Sequence, residues 1–108
     1  MTVLLYEDNL IWSSRLRRTL AAEGHEVVSP NDLKHADVAI VDLSSDRNRA
    51  AVPDLTRQGI HVIGHAGHKE KDLLELGRQA GCQTVATNSQ ITHKLPDLIR
   101  AVHSAEGS

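Results

Sequence analysis

The chain has 108 residues, a formal net charge of −2, one cysteine, and Tyr6 and Trp12 as its aromatic side chains. This length suits one domain with its own core, the charge gives no general drive towards nucleic acid or an anionic membrane, and so few aromatics argue against stacking on single-stranded nucleic acid. No apolar run is long enough to span a membrane; the amino end lacks the basic stretch of a secretory signal; and the lone Cys82 excludes an internal disulfide and fits a reducing, cytoplasmic setting.

Val3–Tyr6 reads as a buried first strand, followed by the polar run Glu7-Asp8-Asn9, in which Asn9 is placed to cap a helix. Residues Leu10–Glu23 read as that helix. Ile11, Trp12, Leu16, Leu20 and Ala21 fall near its apolar spacing, while Arg15, Arg17 and Arg18 project elsewhere as a solvated face. Gly24 stops it. Glu26-Val27-Val28 is a short strand closed by Pro30. Residues 31–37 are too few for a full crossover helix before the next strand, Val38–Leu43.

Ser44–Asn48 reads as a polar turn, and Arg49–Gln58 as a short helix starting or kinking at Pro53. Ile60–Gly64 is a fourth strand and Gly64–His68 a loop. Lys69–Ala80 is a helix with Leu73, Leu74, Leu76 and Ala80 inward, Gly77 at a tight packing contact and Gly81 as its stop. Thr84–Thr87 is a fifth strand. Thr92–Ala105 is the last helix, with Pro96 in its first turn and Leu95, Leu98, Ile99 and Val102 on its apolar face. One domain over 1–105 and a frayed tail over 106–108 are expected.

Strands alternating with helices imply an α/β fold: a doubly wound five-stranded parallel sheet of flavodoxin-like order 2-1-3-4-5, with the second helix shortened or missing. In such a sheet, chemistry collects beyond the carboxyl ends of the strands. Glu7, Asp8, Asp42 and His65 all stand at such ends. Acids brought together repel unless a proton or cation offsets them, and a hard divalent cation suits them.

Leu4-Leu5-Tyr6-Glu7-Asp8-Asn9, Asp37-Val38-Ala39-Ile40-Val41-Asp42-Leu43 and Ala80–Thr87, in this order, resemble the receiver domain of two-component response regulators over essentially the whole chain. The resemblance implies Glu7, Asp8 and Asp42 as Mg²⁺ ligands and Asp42 as phosphoacceptor. It implies a histidine kinase or phosphotransfer protein as the phosphoryl source, an unidentified output protein, and a role in phosphorelay signalling rather than catalysis. Four departures stand out. His65 occupies the position of the family's Ser or Thr; Asn88, followed by Ser89, occupies that of its Lys-Pro; Val85 or Ala86 replaces the aromatic switch residue; and the second helix is nearly deleted, with Ser44–Asn48 replacing the usual run after the phosphoacceptor.

The expectation is therefore an atypical receiver in which Asp42 accepts a phosphoryl group with Mg²⁺ but the standard read-out is impaired. A neutral Asn88 replaces a charge-assisted contact, and a switch needs a bistable element. With no effector domain following, output falls to protein contacts. Candidate surfaces are Trp12, Arg15 and Arg18 on the first helix, and the face made by the fifth strand and the last two helices. A homodimer is expected if the short 31–37 link leaves apolar sheet uncovered.

An alternative is a receiver-derived metal-binding or scaffold protein without phosphotransfer. In it His65 sits beside Asp8 and Asp42 with His68 one turn on, a set suited to Zn²⁺, Mn²⁺ or Fe²⁺ rather than Mg²⁺. A nucleotide- or flavin-dependent enzyme is disfavoured, because Glu7-Asp8 stands where a glycine-rich phosphate loop would be. Nothing in the sequence lowers the pKa of Cys82.

Overall fold

The computed structural model describes residues 1–30 and 35–106, with side chains through Val102. The elements run β1 (Thr2–Tyr6), α1 (Leu10–Ala22), β2 (Glu26–Val28), β3 (Val38–Asp42), α2 (Asp46–Arg57), β4 (His61–Ala66), α3 (Lys71–Ala80), β5 (Thr84–Thr87) and α4 (Asn88–Glu106). They form a five-stranded sheet in the order β2-β1-β3-β4-β5, every pair parallel. Among the described residues no helix separates β2 from β3; residues 31–34 of the short link lie outside them. Val28 at the end of β2 and Ala36 within the link are buried. No helix among the described residues is long and apolar enough to cross a membrane.

Successive side chains of a strand point to opposite faces, and this alternation divides the core in two. Val3, Leu5, Ile40, Ile63 and Ala86 face α1 and α4, where Leu16, Leu20, Leu95 and Ile99 cover them. Leu4, Ala39, Val41 and Val62 face the opposite layer with Val52, Leu55 and Cys82. Both faces are covered, so the central strands β1 and β3 read as nearly unbroken apolar runs, as expected for a parallel sheet.

Several boundaries differ from the sequence reading. β4 extends through His65 and Ala66, which pair with Ala86 and Thr87 of β5, while the Leu43 N–H donates to the His65 carbonyl at 2.9 Å. His65 is thus a strand residue, not a loop residue. Helix α2 starts earlier and runs through Pro53, because the Ser45 hydroxyl accepts from the Asn48 N–H at 3.3 Å and caps it. Helix α4 begins directly at Asn88, ahead of the expected Thr92, with a kink at Lys94 (φ −127°, ψ 17°) just before Pro96.

Three apolar positions, Ile11, Ala21 and Leu76, are exposed rather than inward. Ile11, 81% exposed, shares a helix face with Arg15 and Arg18, leaving Trp12, Leu16 and Leu20 as the inward row. Leu76 is 44% exposed because Gly77, not Leu76, is centred against the sheet.

The tight contact at Gly77 is with Leu43. A Cβ on Gly77 would lie 2.6 Å from Leu43 Cδ1, and one on Gly64 would lie 3.0 Å from the same atom and 2.9 Å from Cys82 Sγ. Leu43, fully buried just after β3, is wedged between glycines of β4 and α3. Gly81 (φ 119°) then closes α3 in the left-handed conformation that glycine favours, and the Cys82 N–H returns to the Gly77 carbonyl at 3.0 Å. Gly64→Ala should cost about 1–3 kcal/mol of stability, since overpacking forces neighbours off their rotamers. Adding Leu43→Val should recover part of it. Urea denaturation of the two single variants and the double variant checks this: purely additive costs would show that Leu43 is not the obstacle.

Candidate functional site

The register places the strand-end residues in one row. Leu5 pairs with Ile40 and Tyr6 with Val41, so Glu7 follows opposite Asp42; Asp42 pairs with His65, and His65 with Ala86. Positions 7, 42 and 65 continue the alternation of Leu5, Ile40 and Ile63, and so lie on the α1/α4 side of the sheet. Ligand-capable atoms of Glu7, Asp42 and His65 all lie within 4.8 Å of one another. Asp8 has the opposite parity. It is exposed, and its Oδ1 lies 3.7 Å from Nη2 of Arg47 at the start of α2, a solvent-screened pair.

Each member of the row is held by local chemistry. Asn9 caps α1, its Oδ1 accepting from the Trp12 N–H at 3.0 Å, as the sequence suggested. Asp42 Oδ1 accepts from the Ser44 N–H at 3.0 Å and the Ser44 hydroxyl at 2.8 Å. The buried Asn48 donates from Nδ2 to the Tyr6 carbonyl at 3.2 Å and the Asp42 carbonyl at 3.4 Å, tying the ends of β1 and β3 together.

Asn88 reaches His65 because Thr87 and Gln90 form a reciprocal capping box. The Thr87 N–H donates to Gln90 Oε1 at 2.8 Å, and the Gln90 N–H to Thr87 Oγ1 at 3.2 Å. This starts α4 with no intervening loop. His65 Nδ1–H then donates to Asn88 Oδ1 at 2.8 Å, and Trp12 lies parallel to the imidazole, with ring centroids 5.8 Å apart and planes 9° from coplanar.

The electrostatics follow from burial. The Glu7 and His65 side chains are 4% and 3% exposed. Burial, then the Asp42 charge and a hydrogen bond to Asp42, push the Glu7 carboxyl up to about 7. Burial holds the His65 imidazole below its ordinary value, against opposing effects of Asn88 and Asp42. Glu7 Oε2 and His65 Nε2, 3.7 Å apart, are buried without a hydrogen-bond partner. Away from this row, burial pushes the Cys82 thiol up to about 11.

No protein-family model matches the chain, and no curated protein matches it. Solved structures do. A two-component response regulator from Clostridium difficile is similar with a TM-score of 0.85 over 100% of this chain and 99% of that one, at 8% identity. A response regulator from Thermotoga maritima gives a TM-score of 0.78 over 95% and 97%, at 15% identity. The isolated REC domain of RcsB from Salmonella enterica serovar Typhimurium, in its apo form, gives 0.79 over 97% and 89%, at 19% identity. The chain has the receiver fold.

Receiver domains are signalling modules, mostly not enzymes, that interact with histidine kinases and output domains and typically bind Mg²⁺ through acidic residues. In this receiver fold the acid row is made by Glu7 and Asp42, while Asp8 lies near Arg47. The two carboxylates and the unpartnered Glu7 Oε2 fit a hard cation; the imidazole of His65 does not belong to such a set. His65 lies beside Glu7 rather than Asp8, and His68 is exposed and outside the group. Trp12, offered by the sequence as a partner contact, is half-buried on His65, whereas Arg15 and Arg18 are exposed.

The sequence reading missed the roles of Asn48 and Gln90. The Thr87-Asn88-Ser89-Gln90 capping-box pattern was the available signal for the second; for Asn48 the cap at Ser45 was the only hint.

A carboxyl with a raised pKa contributes stability that is fully present below the ordinary value of 4.5 and is lost as the pH rises through about 7. Glu7→Gln removes that loss and keeps the shape. The variant should be more stable than the metal-free parent by on the order of 2 kcal/mol at about pH 8 and nearly equal to it at about pH 4. Urea midpoints at the two pH values measure this; a gap that does not depend on pH would contradict it.

Proposed function

We propose that this chain is an atypical receiver of two-component signalling that acts through protein–protein contacts. Asp42 accepts a phosphoryl group, from a histidine kinase or phosphotransfer protein, without the usual conformational read-out. The observation that carries this is Asp42 at the carboxyl end of β3 of a receiver fold, one carboxylate oxygen tied to Ser44 and the group sharing a buried centre with Glu7.

The chain's own groups set the chemistry. Ser44 orients the Asp42 carboxylate, and Glu7 and Asp42 would hold the Mg²⁺ that offsets charge on the transferring group. Asn88 brings no positive charge to a phosphorylated Asp42, and its amide oxygen already accepts from His65. His65 is fixed by strand pairing on both sides and by Trp12. Val85 offers no ring to swing between two positions, so β5 lacks the aromatic element of a bistable switch. Output therefore falls to surfaces already present, such as the rim of α1, where Leu10 and Ile11 are 82% and 81% exposed beside Arg15 and Arg18.

Incubation with a small phosphodonor and Mg²⁺ should add one phosphoryl group by intact mass, and Asp42→Asn should abolish it. With beryllofluoride and Mg²⁺, Trp12 fluorescence should change while amide hydrogen exchange over β5 and α4 stays as in the free protein. The absence of any Asp42-dependent adduct would remove the phosphoacceptor role. Altered exchange across β5 and α4 would show that a phospho-switch operates after all.

A further inference from the structure

The row also contains a feature that acids alone do not account for. Glu7 Oε2 and His65 Nε2 face each other across 3.7 Å, both buried, neither with a hydrogen-bond partner. The separation is too long for a hydrogen bond, and buried polar atoms left unsatisfied call for an explanation. It is close to the ~3.4 Å edge of a tetrahedron with metal–ligand bonds of about 2.0–2.2 Å. The Asp42 carboxylate completes a set whose ligand atoms all fall within 4.8 Å of one another.

The surroundings of His65 match those of a metal-binding imidazole. Its Nδ1–H donates to Asn88 Oδ1 at 2.8 Å, which leaves the Nε2 lone pair aimed into the centre. Metal-ligating histidines are characteristically oriented by such a second hydrogen bond. Trp12 fixes the ring plane from above. All three donors sit at the ends of adjacent strands β1, β3 and β4, so the site is rigid. A cleft lined by Asn9, Ser44 and Glu70 opens on it and leaves room for water as a fourth ligand.

We propose that Glu7, Asp42 and His65 form a binding site for a divalent transition-metal ion of the Zn²⁺ type. An imidazole nitrogen beside two carboxylates favours Zn²⁺ over Mg²⁺, and Asn88 acts as the positioning residue for His65. The inference stands on the geometry of three strand ends and does not depend on phosphorylation of Asp42.

Calorimetric titration of the full chain with zinc chloride and with magnesium chloride, in the absence of phosphodonor, tests it. One equivalent of Zn²⁺ should bind, on the order of 100-fold more tightly than Mg²⁺. Co²⁺ should give a visible absorption band, and Zn²⁺ should change Trp12 fluorescence. Glu7→Gln, Asp42→Asn and His65→Ala should each weaken Zn²⁺ binding more than Asn88→Ala does, the latter by ~10-fold. His68→Ala should leave it unchanged. If His65→Ala does not fold by circular dichroism, Glu7→Gln and Asp42→Asn decide the matter. Absence of one-to-one Zn²⁺ binding, or folded Glu7→Gln and Asp42→Asn variants that bind Zn²⁺ as the parent does, would overturn the proposal, whatever the phosphodonor experiment shows.

Discussion

Parallel pairing of β1, β3 and β4 in a single register is the constraint on which the rest of the molecule depends. The pairing Leu5–Ile40–Ile63 sets Glu7, Asp42 and His65 side by side one pleat later. The same alternation that turns Val3, Leu5 and Ile40 into the α1/α4 core turns these polar side chains to the same side of the sheet. Asp8, a single residue further along, belongs to the other face and finds Arg47. A one-residue slip of β1 would exchange the two acids and with them the chemistry of the centre.

Concentrating ionisable groups where little water reaches is destabilising unless each finds a partner. The fold meets part of that requirement locally: Ser44 on Asp42, and Asn88 and Trp12 on His65. Raising Glu7 to about 7 lessens the charge that must be buried. What remains is the pair Glu7 Oε2 and His65 Nε2, facing each other without partners. The buried histidine and the unmatched oxygen are one feature seen from two strands.

Rigidity around this row has its own origin. Asn48 ties the ends of β1 and β3, the capping box of Thr87 and Gln90 starts α4 at the very end of β5, and Leu43 fills the space conceded by Gly64 and Gly77. These contacts brace the strand ends at the edge where the row stands.

Much of the fold is legible in the residues themselves. Apolar runs, the Asn9 cap and the glycine stops mark the strands and helices, and their alternation dictates a parallel sheet in the observed order. The convergence of Glu7, Asp42 and His65 on one sheet edge follows from the same reasoning. Where prediction and structure part, the deciding contacts are distant in sequence: pairing with β5 carries β4 through His65, and the position of Gly77 against Leu43 turns Leu76 outward. Which of the two acids enters the centre is also a tertiary matter. Val38-Ala39-Ile40-Val41 is apolar on both faces, so no polar alternation marks which side is which. Parity acquires meaning only when α1 and α4 cover one face and α2 and α3 the other. The sequence by itself determined the sheet, its order and the edge where chemistry collects; only the packed layers decided that Glu7, not Asp8, stands with Asp42 and His65, because facing is a property of strands in register and not of any strand alone.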